Sequence, residues 1–347
     1  MQNTMITLTF KPKQVVKKLL SVLPDRAREV LISRYGLEKG DPIRTLEAIG
    51  SDYGITRERV RQIENYALTS IRKSEVFIEE QDTFLKLKSV IEKMGCIVEE
   101  DELLDSLSKD PDTRNHLHFL LVLGDAFAYG KEDADFHRRW NVDENVAKTV
   151  HKALEKIYVS LSDDDLIPES ELIQRFLTEV SELNEQYRNE EIARRWLSLS
   201  KRLGRNPLGE WGSATSSNVR AKGMRDYAFL VIKRHGSPMH FTEVAETISE
   251  LFKKRAHVAT CHNELIKDKR FVLVGRGLYA LSEWGYSKGV VKDVITKILE
   301  KNGPLSKDKI IDLVKKERYV KDNTILVNLQ DPSFFRRNPK GEYDLVV

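Results

Sequence analysis

Apolar residues recur at helical spacing in two successive segments, Thr45 to Tyr53 and Thr56 to Lys73. The repeating positions are Leu46, Ile49 and Tyr53 in the first segment, and Val60, Ile63, Ala67 and Ile71 in the second. Each segment begins with a threonine, which is a favoured N-cap. Gly54 lies between them, where a tight turn needs a left-handed backbone that glycine adopts at little cost. The pattern predicts two helices packed on one another across a short turn.

The second predicted helix begins with polar residues that the apolar stripe leaves on the outside. They are Thr56, Arg57, Glu58, Arg59, Arg61 and Gln62. Arginine pairs with guanine, glutamate accepts from the cytosine amino group, glutamine pairs with adenine, and spare arginines neutralise phosphates. An ordinary solvated helix could carry the same charges, but the turn, the caps and the stripe together favour a helix that reads DNA in the major groove. Nearby phosphate contacts are predicted at Thr45, Arg72 and Lys73.

From Phe84 onwards the pattern changes to sets of three amphipathic helices followed by two short strands, which is the outline of a winged helix. The first set comprises helices over 84–94, 99–107 and 113–123, the last capped by Asp112 or Thr113, and strands over 127–129 and 136–140. The residues before it, 74–83, are acidic and polar, and they are predicted to continue the preceding helix into a linker.

Two sets near the C-terminus have matching turn residues between their elements, which indicates a repeat of about 60 residues. In 224–286, helices are predicted over 224–234, 241–252 and 257–268, with Thr242 as a cap, before a hairpin over 270–281. In 289–347, they are predicted over 290–301, 307–316 and 321–329, before a second hairpin. The segment 145–215 is predicted to be helical over 146–161, 169–183 and 190–203 and to end in a loop at 206–212, with a degenerate winged unit as one interpretation.

The predicted fold is therefore mainly α, with tandem helix-turn-helix and winged-helix modules and small β-hairpin wings. The 347 residues, 40% of them hydrophobic, suffice for several cores. The expected modules are a helix-turn-helix over 1–80, an acidic winged-helix-like module over 84–144, a helical module over 145–215, a winged helix over 224–286 and a second winged helix over 289–347.

Charge divides the chain more sharply than its net value of +3 indicates. Residues 1–73 hold 14 Lys or Arg against 8 acids, residues 74–136 hold 6 against 16, and residues 224–347 hold 23 against 16. The acidic module is expected to touch protein or repel DNA, or merely to be solvated. The basic C-terminal part is expected to grip phosphates, with candidates at Lys267, Lys269, Arg270 and Arg276.

The sequence predicts no cofactor, no metal site and no catalysis. Cys96 and Cys261 are far apart and form no disulfide framework. His257 and Cys261 could share one face of a helix, but zinc needs four ligands and no second pair lies near. We find no phosphate-binding loop and no nucleophile elbow. With no signal peptide and no run of 18 apolar residues, the protein is expected in the cytoplasm, associated with the nucleoid.

Residues 19–73 closely resemble region four of the bacterial housekeeping sigma factors, the subunits that direct RNA polymerase to promoters. The resemblance rests on Leu23-Pro24-Asp25-Arg26, on Ser33-Arg34-Tyr35-Gly36-Leu37 and on the run from Thr56 to Glu64. It implies that Arg57, Glu58 and Gln62 read a TTGACA-like promoter element and that Arg59 and Arg61 hold the backbone or nearby bases. It also implies docking on the flap of the polymerase β subunit. We find no segment similar to the family's promoter-melting region, so the 347 residues are not expected to open a promoter by themselves.

Residues 224–286 resemble the HARE-type winged-helix domain. The resemblance rests on the stretch from Gly236 to Ala245, on His262-Asn263-Glu264-Leu265 and on the stretch from Arg270 to Leu281. That family is thought to bind DNA or polymerase. The combination of the two modules resembles sigma-like proteins of bacteria.

The sequence thus predicts a sigma-like, sequence-specific DNA-binding regulator of transcription whose partners are double-stranded promoter DNA and core RNA polymerase. Two alternatives remain open at this point. One is an accessory subunit of RNA polymerase of the δ type, acting mainly through protein contacts. The other is the DNA-binding part of a restriction or DNA-processing system.

Overall fold

The computed structural model describes residues 6–286 and 289–346, and its contacts divide the chain into two compact units, 1–204 and 205–347. The fold is mainly α-helical, with helix-turn-helix and winged-helix modules and small antiparallel sheets, as the sequence predicts. No helix of the described residues is both long and apolar enough to cross a membrane.

The first unit begins with helices and then alternates helices with very short strands. The helices are α1 (Pro12–Leu20), α2 (Asp25–Tyr35), α3 (Leu46–Tyr53), α4 (Arg57–Arg72), α5 (Glu75–Glu79), α6 (Gln81–Lys93), α7 (Glu100–Leu107), α8 (Pro111–Leu123), α9 (Glu144–Ser160), α10 (Glu169–Glu179) and α11 (Glu190–Ser198). The strands are β1 (Ile97–Glu99), β2 (Ala128–Gly130), β3 (Arg139–Asn141) and β4 (Ile167–Pro168).

The second unit repeats the alternation, and one strand, β5 (Leu203–Arg205), spans the boundary. The helices are α12 (Met224–His235), α13 (Phe241–Phe252), α14 (Val258–Lys267), α15 (Val291–Asn302), α16 (Lys307–Glu317) and α17 (Asp322–Leu329). The strands are β6 (Glu210–Ser213), β7 (Met239–His240), β8 (Phe271–Gly275), β9 (Leu278–Leu281), β10 (Phe335–Arg337) and β11 (Tyr343–Leu345).

Each wing is completed by a short strand or bridge that lies between the first and second helices of its set. The strand order is β1-β3-β2 in one sheet and β7-β9-β8 in another, all antiparallel. In the last set a single bridge, Leu305 to Tyr343, has this position beside β10 and β11. The order helix, short strand, two helices and two strands also recurs from α9 to β6. The short strands between the first and second helices have only two or three residues, which is too few to show the alternation of apolar and polar side chains that predicts a strand. They could therefore not be predicted from the sequence.

The helix-turn-helix of the first unit has only a small core of its own, and most of its buried side chains belong to a larger core. One continuous cluster of buried side chains runs from α1 and α2, through the second half of α4, into α6, α7 and α8. A smaller cluster, around Val30, Ile49 and Val60, lies where α3 and the first half of α4 meet α2. Residues 1–80 therefore bury apolar surface against residues 84–140, which the charge difference between the two stretches did not indicate.

Several local predictions are corrected. Residues 74–83 are not a helix extension leading into a linker, because a new helix α5 starts after Ser74, whose hydroxyl accepts from Phe77 N, and Phe77 is buried. Thr242 does not cap α13, because the helix already begins at Phe241 and the residue before it, His240, is the extended one. The predicted loop at 206–212 is shorter, because residues from Glu210 onwards form β6. The cap of α8 is Asp110, which accepts from Thr113 N at 2.9 Å.

Candidate nucleic-acid interface

The helix-turn-helix of α3 and α4 is shaped by a threonine cap at the start of each helix and by two glycines at the turn between them. Thr45 Oγ1 accepts from Ala48 N at 3.1 Å, and Thr56 Oγ1 accepts from Arg59 N at 3.2 Å. Gly54 has a φ of 63°, the left-handed conformation expected of it. Gly50 is also required, because a Cβ at this position would lie 2.6 Å from the carbonyl oxygen of Ile55. The turn can pass this close to α3 only where α3 has no side chain.

The apolar stripes predicted from the sequence pack as two groups. Ile49 and Val60 are fully buried where α3 and α4 meet, with Leu46, Tyr53 and Ile63 partly buried around them. Ala67 and Ile71, further along α4, belong instead to the larger cluster that includes α8. The first half of α4 is thus fixed by α3, and its second half by the acidic module.

The predicted base-reading side chains all lie exposed at the start of α4. Arg57, Glu58, Arg59, Arg61 and Gln62 are exposed, as is the cap Thr56. The Arg61 guanidinium donates two hydrogen bonds to the Glu58 carboxylate, at 2.8 and 2.7 Å. Arg59 Nη1 donates to Gln62 Oε1 at 3.0 Å. These pairs link residues three apart, so they hold four of the side chains in a fixed arrangement on one face.

The pairing also sets the charge state of the face. The hydrogen bonds from Arg61 lower the pKa of Glu58, and burial opposes this only partly. Glu58 is therefore a carboxylate and can only accept hydrogen bonds, which suits the amino group of cytosine. Because the Arg61 guanidinium is shared with Glu58, its charge is available to a phosphate only in part.

Behind this face, a buried glutamate that the sequence analysis missed ties α4 to α2. Glu64 accepts from Tyr35 Oη at 3.0 Å, and its carboxylate lies 3.4 Å from Arg34 Nε. Burial, and the Glu64 charge after it, raise the pKa of Tyr35 well above its ordinary value, so the phenol stays a donor. The signal was available, because Glu64 lies between Val60, Ile63 and Ala67 on the inward side of a helical period. On α3, Tyr53 Oη donates to Glu29 at 2.8 Å.

The predicted phosphate contacts of the helix-turn-helix have different surroundings. Thr45 and Lys73 are exposed. Arg72 is exposed but already has partners within the protein, because its guanidinium donates to the carbonyl oxygens of Leu123 and Val122, at 3.0 and 2.8 Å. It caps the C-terminal end of α8, where four carbonyls lack helical partners. Arg72 therefore joins α4 to the acidic module, and its contact with a phosphate stays a prediction.

In the second unit, one of the four phosphate candidates is likewise used inside the protein. Lys267, Lys269 and Arg276 are exposed. Arg270 instead donates to Asp268 at 2.7 Å and to Asp226 at 2.9 Å, and it lies over the Phe229 ring at 5.1 Å. Its side chain is only 25% exposed, and the fold needs it to neutralise the buried Asp226. Arg270 is thus committed to partners inside the protein, and its contact with a phosphate stays a prediction.

The third helices of the winged units, which commonly face DNA, differ in exposure. α8 is covered by α1 and α2: Phe119 is fully buried and packs edge-on against Tyr35 at 5.1 Å. α11 is covered by β1 and α7, with Trp196 Nε1 donating to Gly95 O at 3.0 Å and Arg195 to Glu102 at 3.0 Å. α14, by contrast, presents Val258 and the two residues after it to solvent. The covered helices cannot enter a groove unless the unit rearranges.

Neither cysteine has metal-binding surroundings. Cys96 and Cys261 are buried, and burial raises the pKa of Cys261 to about 11. His257 lies exposed at the start of α14, whereas Cys261 is fully buried. Within 6–286 and 289–346, no group of three His, Cys, Asp or Glu side chains could hold a metal ion.

Comparison with known proteins confirms both resemblances. Residues 19–73 match the family described as Sigma-70, region 4, and residues 223–284 match the HARE-HTH family, a helix-turn-helix domain named after ASXL and restriction endonucleases among others. RNA polymerase principal sigma factor HrdD of Streptomyces griseus is 39% identical over 66 residues, which are 19% of this chain and 20% of that protein. The chain thus spans about a fifth of the length of this relative. It carries a sigma-70 region 4 helix-turn-helix followed, in its second unit, by a HARE-type helix-turn-helix domain.

Proposed function

We propose that this protein is a sequence-specific DNA-binding regulator of transcription that reads an upstream promoter element with the first turns of α4. The observation that carries the proposal is the exposed face of Arg57, Glu58, Arg61 and Gln62, which is ordered by two side-chain pairs within α4 and by the glycine turn before it. The match to a sigma region 4 supports the same role. A TTGACA-like hexamer is the proposed sequence.

In this proposal each exposed side chain has one role. Arg57 is unpaired among the described residues and reads guanine, Glu58 accepts from cytosine, and Gln62 pairs with adenine. Arg59 orients Gln62, and Arg61 orients Glu58. The remaining guanidinium donors of both arginines contact phosphates of the DNA backbone. The free protein thus already holds the arrangement that a duplex would meet, which reduces the ordering needed on binding.

The test uses the full chain and two duplexes of equal length, one with the hexamer and one with it scrambled, in fluorescence anisotropy. Arg57→Ala, Glu58→Ala and Gln62→Ala should each reduce the preference for the hexamer by roughly tenfold to a hundredfold. Arg188→Ala is the matched control, since the Arg188 side chain is exposed and has no partner among the described residues. If all three variants lose affinity equally for both duplexes, this face of α4 binds DNA without sequence specificity.

Glu58→Ala has a second expected effect that distinguishes the pairing from simple contact. Removing the carboxylate releases Arg61, whose guanidinium then gains a phosphate. We therefore expect affinity for the scrambled duplex to rise and the slope of log affinity against log salt to steepen by about one. A Glu58→Ala variant with an unchanged slope would mean that Arg61 already contacts a phosphate through its other side.

We further propose that the protein contacts RNA polymerase, with the β-subunit flap as the partner of the helix-turn-helix. The apolar surface that α1 and α2 turn inwards is occupied by α8, so the flap must either use a different surface or displace α8. A pull-down with isolated flap tests the contact, and Phe119→Ala, which weakens the hold of α8, should increase capture if displacement occurs. Failure to capture flap with either protein would favour a regulator that acts without this contact.

For the second unit we propose a grip on the DNA backbone through Lys267, Lys269 and Arg276. Residues 224–347 hold 23 Lys or Arg against 16 acids, which favours a nearby duplex. Changing all three to Ala should flatten the salt dependence on long DNA more than on a short duplex holding only the hexamer. Lys297, Lys301 and Lys309, changed together, are the charge-matched control. Equal effects of both triple variants would favour the accessory-subunit alternative, in which this unit touches protein.

A further inference from the structure

A cavity of about 440 Å³ lies in the first unit between the helix-turn-helix and the acidic module. It opens where the end of α2 and the loop between α2 and α3 face α7, α8 and β2. Its volume is within the range of small-molecule sites, about 300–1,000 Å³. None of the described residues of α4 lines it. The proposed reading of DNA by α4 therefore leaves this cavity without a role.

Three guanidinium groups converge on the cavity, those of Arg34, Arg114 and Arg138. They come from α2, from α8 and from the residue before β3. Two of them meet at one carboxylate, because Nη2 of Arg114 and Nη2 of Arg138 lie 3.5 and 3.4 Å from the two oxygens of Asp101. Glu100 is the other carboxylate of the lining, so the arginines outnumber the acids.

These arginines keep donors that the protein does not use. The Arg138 side chain is 47% exposed and makes one hydrogen bond among the described residues, to Asp101 at 3.4 Å. Nε of Arg34 is buried and has no hydrogen-bond partner in the described part of the chain, although a Glu64 oxygen lies 3.4 Å away. A guanidinium stays charged and presents its N–H donors as a planar fork that fits a phosphate. The cavity thus offers donors to an anionic group.

One wall of the cavity is aromatic. The Tyr129 ring packs on Trp140, with 4.8 Å between centroids, and is still 41% exposed. Ile43, in the loop between α2 and α3, adds an apolar side chain that is 57% exposed. Open aromatic and apolar surface in a concave site suits a planar ring that stacks on it. A DNA duplex cannot use this wall, because its bases are already stacked on one another.

We propose that this cavity binds a mononucleotide, with its base on Tyr129 and Ile43 and its phosphate on the guanidinium groups. The Asp101 carboxylate, which is 59% exposed, accepts from an exocyclic amino group of the base. A base that carries such a group is therefore favoured over uracil. Binding at this site does not depend on DNA reading by α4, and either can hold without the other.

Two residues of the cavity also hold the helix-turn-helix together. Tyr35 Oη donates to Glu64 of α4 at 3.0 Å, and Arg34 Nη1 donates to the carbonyl oxygen of Arg44, just before α3, at 2.9 Å. A nucleotide that orders Arg34 and Tyr35 therefore stabilises the packing of α3 and α4 on α2. Occupancy of the cavity is in this way coupled to the helix-turn-helix.

Isothermal titration calorimetry of the full chain tests the site with GMP, AMP, CMP and UMP. We expect a single class of sites, with CMP binding several-fold more tightly than UMP. Guanosine, which lacks the phosphate, and ribose 5-phosphate, which lacks the base, should each bind at least about tenfold more weakly than GMP. No binding of any of these nucleotides at about 1 mM, or inorganic pyrophosphate binding as tightly as the best nucleotide, would overturn the proposal.

Two variants with matched controls separate the cavity from general effects of charge and aromatic surface. Arg138→Ala and Tyr129→Leu should each weaken GMP binding at least about tenfold. Arg188→Ala and Tyr66→Leu, at exposed positions outside the cavity, should each weaken it less than about twofold. Circular dichroism checks that each variant is folded. Equal losses in the variants and in their controls would show that the nucleotide binds elsewhere.

Hydrogen exchange tests the coupling without DNA. With GMP bound, amides of α2 and α4 should exchange more slowly, whereas those of α10, which does not line the cavity, should not change. Tyr129→Leu should abolish the difference. Exchange in α2 and α4 that is the same with and without bound GMP would refute the coupling to the helix-turn-helix.

Discussion

Phe119 lies on α8, outside the helix-turn-helix. Its truncation to alanine should nevertheless destabilise the helix-turn-helix. The ring is fully buried on α8 and packs edge-on against Tyr35 of α2, 5.1 Å between centroids. Removing a fully buried phenylalanine costs about 3–5 kcal/mol, to which an edge-on aromatic pair contributes about 1 kcal/mol. Tyr35 also donates to Glu64, so the loss reaches α4 directly. We expect a loss near the middle of that range, about 4 kcal/mol.

Urea unfolding of the full chain measures the loss, and hydrogen exchange shows where it acts. Amides of α2 and α4 should exchange faster in the variant, and affinity for the hexamer duplex should fall with them. Leu85→Ala is the control, because Leu85 is 62% exposed on α6 and its truncation should change stability by less than about 0.5 kcal/mol. If Phe119→Ala speeds exchange only in residues 84–140 and leaves α2 and α4 protected, the helix-turn-helix and residues 84–140 do not form one cooperative core.

Three further perturbations test the turn and the acidic module. Gly50→Ala should cost about 1–3 kcal/mol and weaken DNA binding, because its Cβ would lie 2.6 Å from the Ile55 carbonyl oxygen. Gly54→Ala meets no atom within 4 Å and should cost only about 1 kcal/mol, the strain of its φ of 63°; equal losses in urea unfolding would contradict this ranking. Burial, and then Asp101 and Glu102, raise the pKa of Glu99 to about 7, so stability should fall as pH rises from the ordinary 4.5 towards 7. Glu99→Gln should therefore stabilise the protein by about 1–2 kcal/mol at pH 8, after allowance for solvent screening, and less at pH 5; a gain that does not depend on pH would exclude this cause.

The helix-turn-helix could be predicted from the sequence because its signals are local. The caps Thr45 and Thr56, the left-handed Gly54 and the stripe through Ile49 and Val60 all act within one or two helical turns, and each has the predicted role. The exposure of the polar side chains at the start of α4 follows from the same helical spacing of apolar residues. What it reads stays a prediction, because exposure alone does not select a ligand.

The shared core could not be predicted, because an apolar stripe shows that a face is buried but not what covers it. α8 did carry a partial signal. Leu117, Phe119, Leu120, Leu121 and Leu123 are apolar and buried, and together they surround the helix rather than forming one stripe. A helix that is apolar on several sides must be covered from more than one direction.

Arg72 and Arg270 show why charged residues are difficult to interpret from sequence. Both looked like solvent-facing cations near a DNA-binding element. Arg72 donates to carbonyls at the end of α8, some fifty residues on, and Arg270 donates to Asp226, 44 residues earlier, as well as to the nearby Asp268. Only the fold brings the α8 carbonyls and Asp226 to these arginines, so no spacing rule within a helix or a hairpin could have indicated those two contacts.

The same winged-helix order serves two purposes in this chain, and the third helix of each set indicates which one. In α8 and α11 that helix carries large buried groups, Phe119 and Trp196, and it packs on the preceding part of its own unit. In α14 the residues of the first turn, from Val258, are small or polar and lie in solvent, behind a run of basic residues from Lys253 to Arg255. A covered third helix builds scaffold, whereas an exposed one after a basic run can still meet a phosphate backbone. The first unit therefore reads DNA, on our proposal, only through α4, and a second grip has to come from the residues around α14.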